Sequence, residues 1–290
     1  MNIVLLSGGS GKRLWPLSND IRSKQFIKIF KCPDGSYESM VQRVYRQIKQ
    51  VDKGATVTIA TSKTQVLLLS GNAVEMPWVS RVPAIVQGWY LGSMGGKSLA
   101  DILSGAVNPS GKLPFSFPAK LTDCGAHAFD ELSYPGDSIK QEYKEDILVG
   151  YRWHDTKKIP ALFPFGHGLS YTTFTYGKPM ASAKAMAADG MLTVTVAVKN
   201  TGSIAGKEIV QLYVGDDKCS VLRPVKELKH FAKVALAPGE EKSVTFTLTP
   251  DDLKFYDEAS AAWKYEPGKF KAYVCASSAD VRGVVLFEMQ

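Results

Sequence analysis

"VTIATSKTQVLLLSGN", residues 57–72, carries two short apolar runs, VTIAT and VLLLS, separated only by Ser62 to Gln65. Both runs are β-branched or leucine-rich, the composition of strands covered on both faces. Neighbouring parallel strands need a crossover of about a dozen residues or more. Four residues suffice for a hairpin but not for a helix and its turns. An α/β pattern therefore loses a crossover here, and the sequence reads differently on the two sides of the break.

Upstream, "NIVLLSGGSGKRLWPLS" is a strand running into a glycine-rich turn. Gly8, Gly9 and Gly11 permit positive φ and leave backbone N–H groups open to phosphate oxygens, with Lys12, Arg13 and Lys24 to supply charge. Neither GxxxxGK[ST] nor GxGxxG fits this loop. "SYESMVQRVYRQIKQV" predicts an amphipathic helix with Met40, Val44, Ile48 and Val51 on one face.

The charge follows the same division. Of the net +7, residues 1–65 hold 11 Lys/Arg against 4 Asp/Glu, while residues 66–177 hold 9 against 10 and residues 178–290 hold 15 against 14. A local basic module suits phosphate handling. No aromatic-rich basic stripe accompanies it, which argues against nucleic acid.

GGSGKRLWPLS followed by SKQF resembles the N-terminal signature of sugar nucleotidyltransferases of the mannose-1-phosphate guanylyltransferase type. The resemblance implies a nucleotide or sugar-phosphate site at Gly8, Gly9, Gly11, Arg13 and Lys24. Ser23 stands where that family usually has Pro. After Gln65 the resemblance stops, and the family's metal-binding aspartates have no counterpart. Without a metal to neutralise the transferring phosphoryl group, nucleotidyl transfer is not expected.

Downstream, AIVQGWYL predicts a short strand, GGKSLADILSG a helix stopped by Gly105, and NPSGKLPFSFP a proline-glycine loop. With "YKEDILVGYRWHDTKKIPALFPFGHGLSYT", these strings resemble the end of the α/β sandwich domain of family 3 glycoside hydrolases, the β-glucosidase type. That resemblance implies retaining hydrolysis by two carboxyl groups about 5 Å apart. The nucleophile of such enzymes sits on a preceding barrel, and the acid/base lies upstream of the VLLLSGN equivalent. Neither region is represented, so no catalytic residue is assigned and the chain is expected to be inactive alone.

Glu75, Glu142, Glu145, Asp146 and Asp155 are carboxylates of the right type only. Glu75 is expected to anchor its loop and the QEYKED charges to form a solvated edge or turn. His167, between two glycines, is expected to lock a turn. His154 beside Asp155 lacks a nucleophile-elbow motif and reads as structural. Trp89, Tyr90 and Trp153 are expected to pack rather than to line a sugar surface.

From residue 178 the period becomes two. "MLTVTVAVKNTGS", "KEIVQLYVGD", "KHFAKVALAPGEEKSVTFTLT", "GKFKAYVCASS" and "VRGVVLFEM" alternate between Gly, Pro and Asp turns. About seven antiparallel strands in a sandwich follow from that spacing. The strings resemble the fibronectin type III-like domain that ends many family 3 enzymes, which implies a structural service.

The expected architecture is thus α/β plus all-β: a partial parallel-sheet domain followed by an Ig-like, fibronectin type III-like sandwich. The expected divisions are 1–65, nucleotidyltransferase-like; 66–177, end of the α/β sandwich; and 178–290, fibronectin-like. The 290 residues, 45% hydrophobic and 22% charged, can bury a core in each of two domains. No apolar run approaches the ~20 residues of a membrane span.

The opening lacks a charged n-region, which predicts a cytoplasmic chain, although family 3 relatives are often periplasmic or secreted. Cys32, Cys124, Cys219 and Cys275 form no CxxC pair and are expected as free thiols, with no metal and no cofactor. A carbohydrate or nucleotide-sugar ligand is the expected partner, with no nucleic acid and no membrane. If the two texts share one sheet, NIVLLS lies parallel beside VLLLS, and VTIAT pairs antiparallel through the short turn or leaves the sheet. Otherwise an exposed sheet edge invites self-association.

Overall fold

The computed structural model describes residues 2–6, 28–31, 36–39, 43, 56–60, 66–69, 73–90 and 92–290. They fall into two units, Met1–Leu69 with Trp78–Gly88, and Ser70–Pro77 with Trp89–Gln290.

In the first unit the strands are β1 (Asn2–Leu6), β2 (Lys28–Lys31), β3 (Tyr37–Ser39), β4 (Thr56–Ala60), β5 (Val66–Leu69) and β6 (Ala84–Gln87). β1 and β4 pair in parallel, Ile3 opposite Val57 and Leu5 opposite Ile59. β5 and β6 form a separate parallel pair, Val66 opposite Ala84 and Leu69 opposite Gln87. β2 and β3 make an antiparallel pair, and Arg43 Nη2 donates to the Lys31 carbonyl at 3.1 Å.

This corrects the shared-sheet expectation. The partner of NIVLL is VTIA, and the partner of VLLL is AIVQ, so the chain changes sheet across Thr61–Gln65. Residues 70–83 are long enough for the parallel return that the short link could not make. Tyr37–Ser39, placed in the expected helix, is a strand instead, while Arg43 is helical. Met40, Val44, Ile48 and Val51 lie outside the described residues.

The second unit opens with α1 (Gly95–Leu103), whose Leu99 is buried and whose Lys97 and Asp101 pair at 2.5 Å one turn apart. It ends where expected, with Gly105 in the left-handed region at φ 78°. A long irregular segment follows, pinned by one antiparallel bridge between Phe117 and Phe163. α2 (Tyr151–Lys157) is bracketed by Gly150 at φ 61° and Lys158 at φ 57°.

The sandwich then builds from β7 (Phe174–Tyr176), β8 (Met180–Ala181), β9 (Ala185–Met186), β10 (Leu192–Asn200), β11 (Gly206–Asp216), β12 (Glu227–Leu236) and β13 (Glu241–Leu248). After α3 (Pro250–Leu253) come β14 (Phe255–Asp257), β15 (Ala262–Lys264), β16 (Gly268–Ser277) and β17 (Asp280–Met289). A four-stranded sheet runs β13-β10-β7 with β8 also on β10, and a five-stranded sheet runs β12-β11-β16-β17-β9. β14 and β15 pair as a separate hairpin.

The period-two reading holds because alternate residues meet between the sheets. Leu192, Val194, Val196 and Val198 of β10 face Val210, Leu212, Phe270, Val274 and Phe287 of the other sheet in one core. The Phe270 and Phe287 rings stack at 5.6 Å. Two features depart from the seven-strand expectation: the edge strands are shorter and more numerous, and β9 joins β17 in parallel.

Asn200, which opens the Asn200-Thr201-Gly202 turn, is a buried polar hub. Asn200 Nδ2 donates to the Ile204 and Leu236 carbonyls at 2.8 and 3.1 Å, while Oδ1 accepts from Thr172 Oγ1 at 2.6 Å and from the Gly202 amide at 3.0 Å. Every hydrogen-bonding capacity of that side chain is used, which is what allows it to be fully buried.

Candidate functional site

The sequence-predicted phosphate residues Gly8, Gly9, Gly11, Arg13 and Lys24 lie outside the described residues. The candidate carboxylates downstream do not converge on one another. Glu75 Oε1 accepts from the Leu121 amide and ties its loop, as expected. Glu142 is held by Lys140 and by Lys144, the latter at 3.3 Å. Asp146 Oδ1 accepts from the Ile147 amide at 2.7 Å, a local turn bond.

Glu145 differs. It is buried, and its Oε2 has no hydrogen-bond partner. It packs beside Gly125 and Trp153, and a Cβ on Gly125 would sit 2.9 Å from the Glu145 Cβ, so only glycine fits there. Trp153 is 6% exposed and meets Phe129 edge-on at 5.7 Å, a packing role. Trp89 packs on Phe115 at 5.0 Å, whereas Tyr90 is exposed, against the expectation of packing.

His154 and Asp155 do not form a base with its orienter. His154 Nδ1 bonds the Ile159 carbonyl at 3.0 Å. Asp155 instead receives Lys226 Nζ at 2.6 Å, and burial raises its pKa although Lys226 pulls the other way. His167 does lock a turn: its amide donates to Pro164, its carbonyl accepts from Leu113 at 2.8 Å, and its ring stacks on Phe163. Burial lowers its pKa.

What these residues build together is a seam between the segment 108–168 and the sandwich. Tyr151 of α2 stacks on Phe165 at 4.8 Å and meets Tyr213 of β11 edge-on at 5.7 Å. Tyr151 Oη accepts from the Leu228 amide at 2.8 Å, and Thr156 Oγ1 accepts from the Val225 amide at 3.1 Å. Arg152 reaches Glu227 at 3.0 Å, which also holds Arg223 at 3.1 Å. Lys112 pairs with Glu208 at 3.0 Å, and Asn108 Nδ2 donates to the Ala205 carbonyl at 3.0 Å.

Gln211 sits at the middle of the seam. Its Nε2 donates to the Gly166 and Ala276 carbonyls at 3.2 and 3.0 Å, and its Oε1 accepts from Tyr213 Oη at 2.6 Å. Gly166, at φ 79°, lets the FGHG turn approach that amide; a Cβ there would overlap it. The single visible signal for this seam is a glutamine inside the apolar run "IVQLYV", an amide that must find partners if the strand is buried. Chemically the arrangement positions and holds. Among residues 92–290, the carboxylates named here are engaged in turns and ion pairs, apart from Glu145.

A unit of short parallel strand pairs and a fibronectin-type sandwich with its covering segment are what the described residues define. Residues 46–171 match the glycosyl hydrolase family 3 C-terminal domain and residues 208–278 the fibronectin type III-like domain. Residues 2–87 match the nucleotidyl transferase family, so the two enzyme families overlap across residues 46–87.

Most of the chain is homologous to the C-terminal part of family 3 β-glucosidases. It is 67% identical over 222 residues to a β-glucosidase of Bacteroides ovatus, covering 77% of this chain and 30% of that protein. It is 49% identical over 220 residues to thermostable β-glucosidase B of Acetivibrio thermocellus, covering 76% and 29%. Among solved structures, the family 3 β-glucosidase of Bifidobacterium adolescentis superposes with a TM-score of 0.72 at 35% identity, covering 77% of this chain and 32% of that one. A β-glucosidase from Streptomyces venezuelae in complex with D-glucose gives 0.70 at 37%, covering 88% and 31%. The chain therefore spans about 30% of the length of the curated relatives it matches.

Proposed function

We propose that this chain is the scaffold portion of a β-glucosidase-type glycoside hydrolase and does not turn over glycosides by itself. One observation carries the reading: of the candidate carboxylates among the described residues, Glu75 anchors a loop, Asp146 sits in a turn, Asp155 is held by Lys226 and Glu142 by two lysines. That leaves only Glu145 with an unpartnered oxygen and no second free carboxyl beside it. Retaining chemistry needs two free carboxyl groups about 5 Å apart across an open site. In this role the chain serves structurally, and a barrel-bearing partner supplies the catalytic pair and the sugar pocket.

The test is hydrolysis of an aryl β-glucoside by the purified chain. Rates at the buffer background are expected. Turnover above background that disappears in Glu145→Gln would refute the scaffold reading, because Glu145 holds the buried carboxylate oxygen without a partner.

A second reading rests on the nucleotidyl transferase match over residues 2–87. In it residues 1–65 form a nucleotide- or sugar-phosphate-binding module joined near residue 65 to the glycosidase-like text of 66–177 and 178–290. The self-contained pairing of β1 with β4 and of β5 with β6 supports such a join. Thermal stabilisation by GTP or GDP-mannose, lost in Arg13→Ala, is expected if the loop binds phosphate; no stabilisation by either nucleotide removes the reading.

A further inference from the structure

Residues 129–146 form a loop closed on itself. At its base Lys144 pairs with Asp130 at 2.6 Å. Midway the Glu142 amide donates to the Leu132 carbonyl at 2.8 Å, and Gln141 Nε2 donates to the Ser133 carbonyl at 3.2 Å. At the tip the Asp137 amide donates to the Lys140 carbonyl at 3.1 Å, while Asp137 Oδ1 accepts from the Ile139 and Lys140 amides at 3.0 and 2.7 Å. Lys140 and Lys144 both reach Glu142.

That frame holds apolar side chains in water. Ile139 at the tip is 94% exposed, the most exposed large apolar residue among those described, and Tyr134 and Tyr143 on the two legs are exposed at 50% and 73%. A tip of this kind is ordinarily built from Gly, Asn, Asp or Ser. An apolar side chain carried on an already ordered loop gives up little backbone freedom when a contact buries it, which is what an interface anchor requires.

Charge selects what covers this anchor. Residues 129–146 hold six Asp/Glu against two Lys, a net charge of −4, and both lysines are engaged inside the loop. Glu131 is exposed, and no described residue pairs with its carboxylate. The opposite charge is carried by the same chain: residues 1–65 hold 11 Lys/Arg against 4 Asp/Glu, whereas residues 178–290 are balanced to within one charge. We propose that the 129–146 loop docks onto the basic residues 1–65 of a second copy of this chain, with Ile139, Tyr134 and Tyr143 entering the contact and Glu131 facing its Lys/Arg side chains. The two surfaces differ, so the contact is head-to-tail and leaves each copy able to engage a further one. One loop offers less than the roughly 1,200 Å² of a stable specific interface, so the association is weak, concentration-dependent and sensitive to salt.

The experiment is sedimentation equilibrium of the full chain over micromolar concentrations, at about 0.05 M and about 0.5 M salt. At low salt the average mass is expected to rise with concentration, and at high salt to return to that of the monomer. Ile139→Asp keeps the acidity and removes the anchor, and should weaken association about tenfold or more. Glu131→Lys should weaken it about three- to tenfold at low salt. Zero-length carboxyl–amine crosslinking of a mixture of normal and heavy-nitrogen chains reads where the contact lands. Mixed-isotope links from Glu131 to lysines within residues 1–65 are expected. A monomer at every concentration, association that either variant leaves undiminished, or mixed links that join only other segments would overturn the proposal. Should Ile139→Asp disturb the fold, Glu131→Lys and the crosslinks decide.

Discussion

β10 and β11 are consecutive strands of 9 and 11 residues that face each other across the core, yet they are buried in different ways. β10 alternates, with Leu192, Val194, Val196 and Val198 inside and Lys199 exposed. β11 alternates only at its start and is then buried from Val210 to Gly215, because the segment 151–168 covers its outer side. A sheet face that loses its alternation is a docking face. Gln211 and Tyr213 are outward residues of β11: Tyr213 donates to Gln211 within the strand, and Gln211 donates across the seam to the Gly166 carbonyl.

The sharpest way to break that comparison is to truncate one outward residue on each strand. Tyr213→Ala should cost about 3–5 kcal/mol, the range for losing a fully buried aromatic ring. Lys199→Ala on β10 should change stability by less than about 0.5 kcal/mol. Denaturant unfolding of both variants checks this, and equal effects would mean that β11 is not a docking strand.

A next, smaller effect concerns the paired charges. Lys226→Ala leaves Asp155 partly buried and unpaired, and a loss of about 3 kcal/mol is expected. The double change Lys226→Met with Asp155→Leu should recover most of it, because apolar side chains of similar volume replace both charges. A double variant as unstable as the single would show that the seam needs the ion pair itself.

The smallest effect is in pH. Burial pushes the Glu227 carboxyl up, but Lys229, Arg223 and Arg152 outweigh it and hold its pKa below the ordinary glutamate value. A carboxyl with a depressed folded pKa contributes stability above its unfolded pKa, about 4.3, and loses it as pH falls through the folded value. Asp155, whose folded pKa is raised, contributes in the opposite sense. Melting temperatures recorded from pH 7 down to pH 3 should fall less steeply in Glu227→Gln and more steeply in Asp155→Asn. An unchanged acid limb in both would show that the seam charges do not feel folding.

The sandwich was readable because its signal is local: each strand of "MLTVTVAV" shows its own inside and outside, and Gly105 marks a helix end by its own conformation. Pairing was not. Nothing within VLLLS states that its neighbour is AIVQ rather than NIVLLS, since both candidates are apolar and parallel-compatible. "SYES" belongs equally to the start of a helix and to a hairpin strand, and contact with β2 decides it. At the site, the structural reading of His154 beside Asp155 holds, because the two neighbours point at different partners, one at Ile159 and the other at Lys226. The seam was hidden because it joins residues 45 to 97 positions apart, Gly166 with Gln211 and Asn108 with Ala205 among them.

α2 is seven residues long, and four of them, Tyr151, Arg152, Asp155 and Thr156, carry its bonds to the sandwich. Those positions form a single stripe, two adjacent residues repeated one turn later. Inserting one residue ahead of Asp155 would swing everything after it through about 100° and lift half of the stripe off its partners at a stroke. The left-handed residues at either end act as fixed stops, so the helix cannot slide by a notch to restore the alignment. Evolution can therefore exchange side chains along this stripe, but it has little freedom to change its length.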